Sequence, residues 1–120
     1  MIKEKISWNI IHHNAIYDWG NDYSFMEIHG YAVGRVYTIK EEADVAYIEG
    51  LHVSEVVRRK GIGTEMINKL IDKCRETGSK KCNLWCDKNK WMYKWYQRLG
   101  FKYDGDKKDQ DGFVWMVKEL

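Results

Sequence analysis

No stretch of the 120 residues is both apolar and long enough to cross a bilayer, and the N-terminus has no apolar h-region. Secretion and membrane insertion are not expected; a cytoplasmic setting is. Cysteine is scarce. Cys74, Cys82 and Cys86 are odd in number and form no C-x-x-C pair, which argues against a disulfide framework or a zinc knuckle. Cys82 and Cys86 alternate along an expected strand and read as small buried hydrophobes. Free thiols suit the cytoplasm. His12 and His13 have no further ligand spaced with them, so no metal is expected. Charge of one sign is lacking too: the net charge of +2 is too small to argue for a nucleic-acid partner. Repeats, low-complexity tracts and linkers are absent, so residues 1–120 are expected to form one domain.

What the chain does have is apolar and aromatic bulk. Hydrophobic residues make up 44% and charged residues 32%, ordinary for a globular protein. Six Trp and eight Tyr supply large areas for a small core. Basic residues gather at 58–60, 80–81 and 107–108; the last two groups read as solvated loop charges.

The most informative stretch is Val53 to Gly63. An apolar run from Ala46 to Val53 leads in. A helix from Thr64 to about Thr77 leads out, with Met66, Ile67, Leu70, Ile71 and Cys74 on one face. A strand, a glycine loop and a helix N-terminus together form an anion site, because the first helical N–H groups have no intrahelical partner. Gly61 and Gly63 allow close backbone approach, and Arg58, Arg59 and Lys60 add positive charge. The loop is not a P-loop, since Gly-Lys-Ser/Thr is missing after the second glycine. Nor does it fit the dinucleotide fingerprint, whose third glycine falls on Met66.

What remains is Arg58-x-x-Gly61-x-Gly63, which resembles the acetyl-CoA pyrophosphate loop of the GNAT superfamily of N-acetyltransferases. A second block strengthens the resemblance. Asn89 opens a helix, Tyr96 follows two turns on, and Leu99-Gly100-Phe101 closes it, all at the family's spacing. The resemblance covers roughly residues 23 to 118. The sequence departs from the family where the usual proline after the central strand is absent, and where Met92 fills a position commonly Ala.

The element order predicts an α/β (α+β) fold with a mixed, mostly antiparallel sheet of about six to seven strands and two main helices. Residues 3–11 read as a first strand with Ile6, Trp8 and Ile10 on one face, and His12 to Asp22 as polar and turn-like. Tyr23–Ile28 and Tyr31–Lys40 read as a hairpin around His29-Gly30. Ala43 to Val53 is the central strand, Gly78 a helix C-terminal cap, and Lys81–Cys86 the next strand. Asn89 is expected to cap the second helix, with Phe101–Asp104 and Phe113–Lys118 as a closing hairpin. The resemblance implies that the central strand and Lys81–Cys86 splay apart, with acetyl-CoA in the gap. It also implies two helices between the first two strands, yet only about ten residues are available there, so the N-terminal helical region is shortened. The acceptor side is then open, or completed by another subunit; Tyr17 and Trp19 would be left uncovered, and a homodimer is expected.

Acetyl transfer to an amine needs a neutral amine, donors for the oxyanion, and a proton for the leaving thiolate. Glu49 is the candidate base, because a carboxylate in a central strand is unusual. Ile48-Glu49-Gly50-Leu51-His52-Val53 is similar to strands of polyamine and aminoglycoside N-acetyltransferases. Glu49 could equally hold the acceptor's cation or pair with a nearby Arg or Lys. The resemblance makes Tyr96 the candidate acid near the CoA sulfur; the alternative is an aromatic packed in the core. By the same resemblance Leu51 and Val53 present backbone groups to the pantetheine and acetyl carbonyl, and His52 alternates with them as a structural residue or a base. Asn89 bonds the pantetheine arm, or serves only as a cap. The segment Arg58, Arg59, Lys60, Gly61, Ile62, Gly63 and Thr64 holds the pyrophosphate. The expected cosubstrate is acetyl-CoA, and the expected acceptor a primary amine on a small molecule or flexible peptide. The competing expectation is a non-catalytic GNAT-fold module that binds CoA or a protein partner without turnover.

Overall fold

The computed structural model describes residues 8–120. Its elements are β1 (Ile10–Tyr17), β2 (Gly20–Glu27), β3 (Ala32–Ile39), β4 (Val45–Val53), a short 3-10 turn (Glu55–Val57), α1 (Ile62–Glu76), β5 (Lys81–Asp87), α2 (Trp91–Arg98), β6 (Lys102–Tyr103) and β7 (Phe113–Glu119). They form one seven-stranded sheet in the order β1-β2-β3-β4-β5-β7-β6. All neighbours are antiparallel except β4 and β5, which are parallel because α1 carries the chain back between them.

The N-terminal region departs from the sequence reading. Residues 3–7 of the expected first strand lie outside the described residues. His12–Asp22 is not a polar turn: most of it is strand, and β1 pairs with β2 without a break from Ile10↔Glu27 to Tyr17↔Gly20. Only Asp18 and Trp19 connect the two strands. The histidines and asparagines misled the reading because β1 is an edge strand largely exposed on both faces, so polar residues sit in regular strand. The end of the next hairpin is held by Glu27, whose buried carboxylate accepts hydrogen bonds from the backbone N–H groups of His29 and Tyr31.

Both helices cover the same face of the sheet. Ile62, Met66, Ile67, Leu70, Ile71 and Cys74 of α1 are buried against alternate strand residues such as Ala32, Val36, Ala46, Ile48, Cys82 and Leu84. Gly34 belongs to this row, because a Cβ there would lie 2.7 Å from Leu70 Cδ1. Tyr96 of α2 and the following Phe101 join the same core. Among the described residues no helix covers the other face, and no helix is long and apolar enough to cross a membrane.

A β-bulge in β4 positions everything that follows. Val33 opposes His52 and Arg35 opposes Glu49, so Gly50 and Leu51 together face the single Gly34. Gly50 takes φ +67°, which glycine adopts without steric cost. The extra residue reverses the alternation. Ile48 faces the helices before the bulge, and Leu51 and Val53 pack toward the helical core after it. Glu49 stays on the open face beside Arg35.

Candidate active site

β4 and β5 pair only from Val45↔Lys81 to Ile48↔Leu84. Beyond Ile48 the strands diverge, because the bulge turns β4 toward β3 while β5 keeps its pairing with β7 as far as Asp87. A cleft of about 320 Å³ opens between them. Its walls come from both faces of the sheet. Tyr96, Met92 and Lys90 line it from the helical side, and Glu49, Trp85 and Phe113 from the open side; Leu51 also lines it. The gap is therefore a slot through the sheet.

Glu49 sits on the open rim. Its Oε2 accepts a hydrogen bond from Arg35 Nη1 at 2.8 Å. Arg35 Nε meanwhile donates to Asp22 Oδ1 and Oδ2 at 2.9 and 3.0 Å. The hydrogen bond that Arg35 donates to Asp22 outweighs burial and, with the charges of Asp22 and Glu49, raises the Arg35 pKa above the guanidinium's ordinary value. The Glu49 side chain is 57% exposed. An ion pair this wet is worth only ~0–1 kcal/mol, so its carboxylate is easily redirected.

Tyr96 is buried at the cleft's other wall, and its hydroxyl makes no hydrogen bond to a described residue. Burial, aided by the neighbouring Cys86, pushes its phenol well above the ordinary tyrosine range. It stays protonated through neutral pH and has a proton to give. Cys86 also lines the cleft, and burial pushes its thiol up to about 11. It is a thiol, not a nucleophilic thiolate, at neutral pH.

The glycine loop begins where β4 ends. Gly61 is the N-cap of α1 with φ +92°, and no side chain caps the helix. A Cβ at Gly61 would meet nothing within 4 Å, so the space before the first-turn N–H groups is open. Arg59 also holds a positive φ of 65°. These uncapped amides, with Arg58, Arg59 and Lys60 beside them, fit a pyrophosphate. The loop abuts α2: a Cβ at Gly63 would lie 3.5 Å from Val53 Cγ2 and 4.0 Å from Trp95. Arg58 leans back on the strand, its Nε donating to the Val53 carbonyl at 3.3 Å and its Nη1 lying 3.6 Å from Glu55.

The structure thus gathers Glu49, Leu51 and Tyr96 around one cleft and sets the Arg58–Thr64 loop at the end of the same strand. His52 does not line the cleft; it is exposed, opposite Val33. Asn89 is not the helix cap expected from the sequence. The helix starts at Trp91 with Lys90 as N-cap, and the Asn89 N–H donates to Asp87 Oδ1 at 2.9 Å. An Asx turn has taken the first residues of the expected helix. Sequence reasoning missed Trp85, Lys90 and Phe113 as cleft residues. It also missed Arg35. Gly50 within an apolar strand was the available signal for the bulge. Among the described residues no group of His, Cys, Asp and Glu is placed to hold a metal ion.

Comparison with known proteins agrees with this geometry. The sequence model of the acetyltransferase (GNAT) family matches residues 3–101. An uncharacterized N-acetyltransferase of Methanocaldococcus jannaschii is 36% identical over 81 residues, 67% of this chain and 34% of the relative. The chain thus spans about a third of that relative's length. A GNAT family acetyltransferase from Elizabethkingia anophelis with acetyl-CoA bound superposes with a TM-score of 0.69 at 16% identity, covering 93% of this chain and 99% of that one. N-acetylglutamate synthase from Neisseria gonorrhoeae, complexed with coenzyme A and N-acetyl-glutamate, superposes at 0.67 and 19% identity, over 82% of this chain and 25% of that one. The two solved structures share the fold; the sequence match carries the family. With a diverging strand pair, an uncapped glycine loop and a match over most of its length, the chain belongs to the acetyltransferase (GNAT) family.

Proposed function

We propose that the protein transfers an acetyl group from acetyl-CoA to a primary amine of a small molecule or flexible peptide. The observation that carries this reading is the slot between β4 and β5, lined by Glu49 on the open side and Tyr96 on the helical side. A slot open to both faces lets the two reactants enter separately. The Arg58–Thr64 loop and α2 favour the helical side for acetyl-CoA. The face without helices favours the acceptor.

In this reading the first-turn amides of α1 and the Gly61–Thr64 backbone hold the pyrophosphate, with Arg58, Arg59 and Lys60 supplying charge. Leu51, His52 and Val53 offer backbone groups to the pantetheine and the acetyl carbonyl, and Asn89 bonds the arm. Arg58 must release the Val53 carbonyl to leave it free. Glu49 takes a proton from the ammonium form of the acceptor. The amine nitrogen then bonds the acetyl carbon, the carbon–sulfur bond breaks, Tyr96 gives its proton to the leaving thiolate, and the amide nitrogen releases its extra proton to solvent, which reprotonates Tyr96. Three free buried thiols support a cytoplasmic setting. Exposed Tyr17 and Trp19 support a homodimer.

Free-thiol release from acetyl-CoA, followed across a panel of amines, alcohols and thiols, tests the proposal. Amine-dependent release is expected. Activity confined to hydroxyl or thiol acceptors would overturn the amine assignment. The Arg35–Glu49 pair favours one other reading, a module that binds CoA without turnover, because it engages one oxygen of Glu49, the carboxylate on the cleft's β4 wall. Tight acetyl-CoA binding with no thiol release on any acceptor would establish that reading instead.

A further inference from the structure

The two edges of the sheet are unlike. β6 is two residues long, begins with Lys102, and pairs with β7 only at Val117 and Met116. The chain leaving it stays on that edge, where the Asp104 N–H donates to the Trp115 carbonyl and Gln110 and Phe113 bond each other. A short strand, a lysine and a covering loop are common ways to protect an edge.

Among the described residues β1 has none of these. Its eight residues, Ile-Ile-His-His-Asn-Ala-Ile-Tyr, carry no lysine, arginine, carboxylate or proline. Its register against β2 is continuous, so no bulge twists it away. Among the described residues nothing pairs with its outer side. The outer N–H and C=O groups form a template for another strand. Apolar side chains flank that edge: Ile16 is 86% exposed, Ile11 51%, Tyr17 50% and Met26, opposite Ile11, 43%.

We propose that β1 is the dimer interface, pairing antiparallel with β1 of a second copy to make one continuous sheet of twice seven strands. The partner is the same chain because the edge complements itself. It carries no lysine, arginine, aspartate or glutamate, so none of these charges oppose each other across a two-fold axis. A two-fold axis perpendicular to the sheet keeps each residue on its own face, so facing residues must share a face. Two registers then overlap almost the whole strand. Centred on His13, Ile16 meets Ile10 of the second copy; centred on Asn14, Ile11 meets Tyr17. Either one gives an exposed isoleucine an apolar neighbour. Both copies then show their open face on the same side, and both clefts stay uncovered. The interface is therefore the sheet edge and not a lid over the acceptor side.

Sedimentation velocity of the 120-residue chain tests this, with neither acetyl-CoA nor acceptor present, so the result is independent of the proposed reaction. A species near twice 14.3 kDa is expected. Ile16→Lys places a charge on the edge at an already exposed position and should give the monomer, with helix content, melting temperature and acetyl-CoA affinity kept. A residue on the two-fold axis faces its own copy, so either His13→Cys or Asn14→Cys should be joined into a covalent dimer by a short bis-maleimide. The native cysteines are buried. A parent that remains monomeric at all concentrations, an Ile16→Lys variant that remains dimeric, or failure of both cysteine variants to cross-link would each overturn the proposal.

Discussion

Arg35 Nη1 lies 2.8 Å from Glu49 Oε2, across adjacent strands, and the same guanidinium grips Asp22 on the next strand. One cation therefore ties β2, β3 and β4 together where the sheet opens, and it aims the carboxylate at the rim of the cleft. Glu49 Oε1 has no partner among the described residues. That oxygen is free for an ammonium group while the other is anchored.

Glu49→Gln keeps the size and removes the charge. A lysine-like amine is about 3.4 pH units from neutral at pH 7, a cost of ~4.6 kcal/mol. Loss of a general base typically lowers rate by about 10²- to 10⁴-fold. We expect kcat/KM to fall toward the lower end near neutral pH, with partial recovery at higher pH, where more amine is already neutral. Arg35→Met should lower kcat/KM less, because it loosens Glu49 without discharging it. A Glu49→Gln pH profile that superimposes on the parent's would assign Glu49 to the ion pair alone.

Tyr96→Phe should lower kcat by about 10²-fold, the low end for an acid, because a thiolate is already a fair leaving group. Acetyl-CoA affinity should hold. Stability should hold too, since the lost hydroxyl has no hydrogen-bond partner among the described residues. Unchanged kcat with chemistry limiting the rate assigns Tyr96 to packing.

Gly61→Val separates binding from folding. A Cβ at Gly61 has free space around it, but φ +92° is strained for a branched side chain. The fold should lose about 1–3 kcal/mol, while acetyl-CoA binding should fall far more as the cradle fills. Isothermal titration on the folded variant decides this. Parent-like affinity would remove the loop from the pyrophosphate site.

Alkaline stability should reflect the two buried phenols. Burial raises both Tyr96 and Tyr47 above the ordinary tyrosine range, and Tyr47 also donates to Glu42. Their neutral forms are favoured in the folded state, so their contribution is full below the unfolded value of about 10. It is lost as pH rises past that point, by up to ~1.4 kcal/mol per pH unit for each group. Urea unfolding between pH 8 and 11 should show this loss, to which the Cys74 and Cys86 thiols, whose pKa values are also raised, add their own, and Tyr47→Phe should make the profile shallower. A flat profile would mean that the phenols ionise freely in the fold.

The sequence by itself determined whatever depends on neighbours along the chain. Gly61 and Gly63 after an apolar run specify a loop and helix start, because backbone freedom and free N–H groups are local properties. The apolar stripe from Met66 to Cys74 specifies the buried face of α1, because side-chain direction follows helical period. Tyr96, Gly100 and Phe101 placed the second helix and its end. Only the tertiary structure decided where strands part and which faces meet. The bulge at Gly50 carries Leu51 and Val53 to the helical face, and a one-residue shift of this kind reverses every later side chain. The pairing of Glu49 with Arg35, fourteen positions away, depends on strand register. β1 was hidden in a polar stretch because strand formation there comes from pairing with β2 and not from local composition.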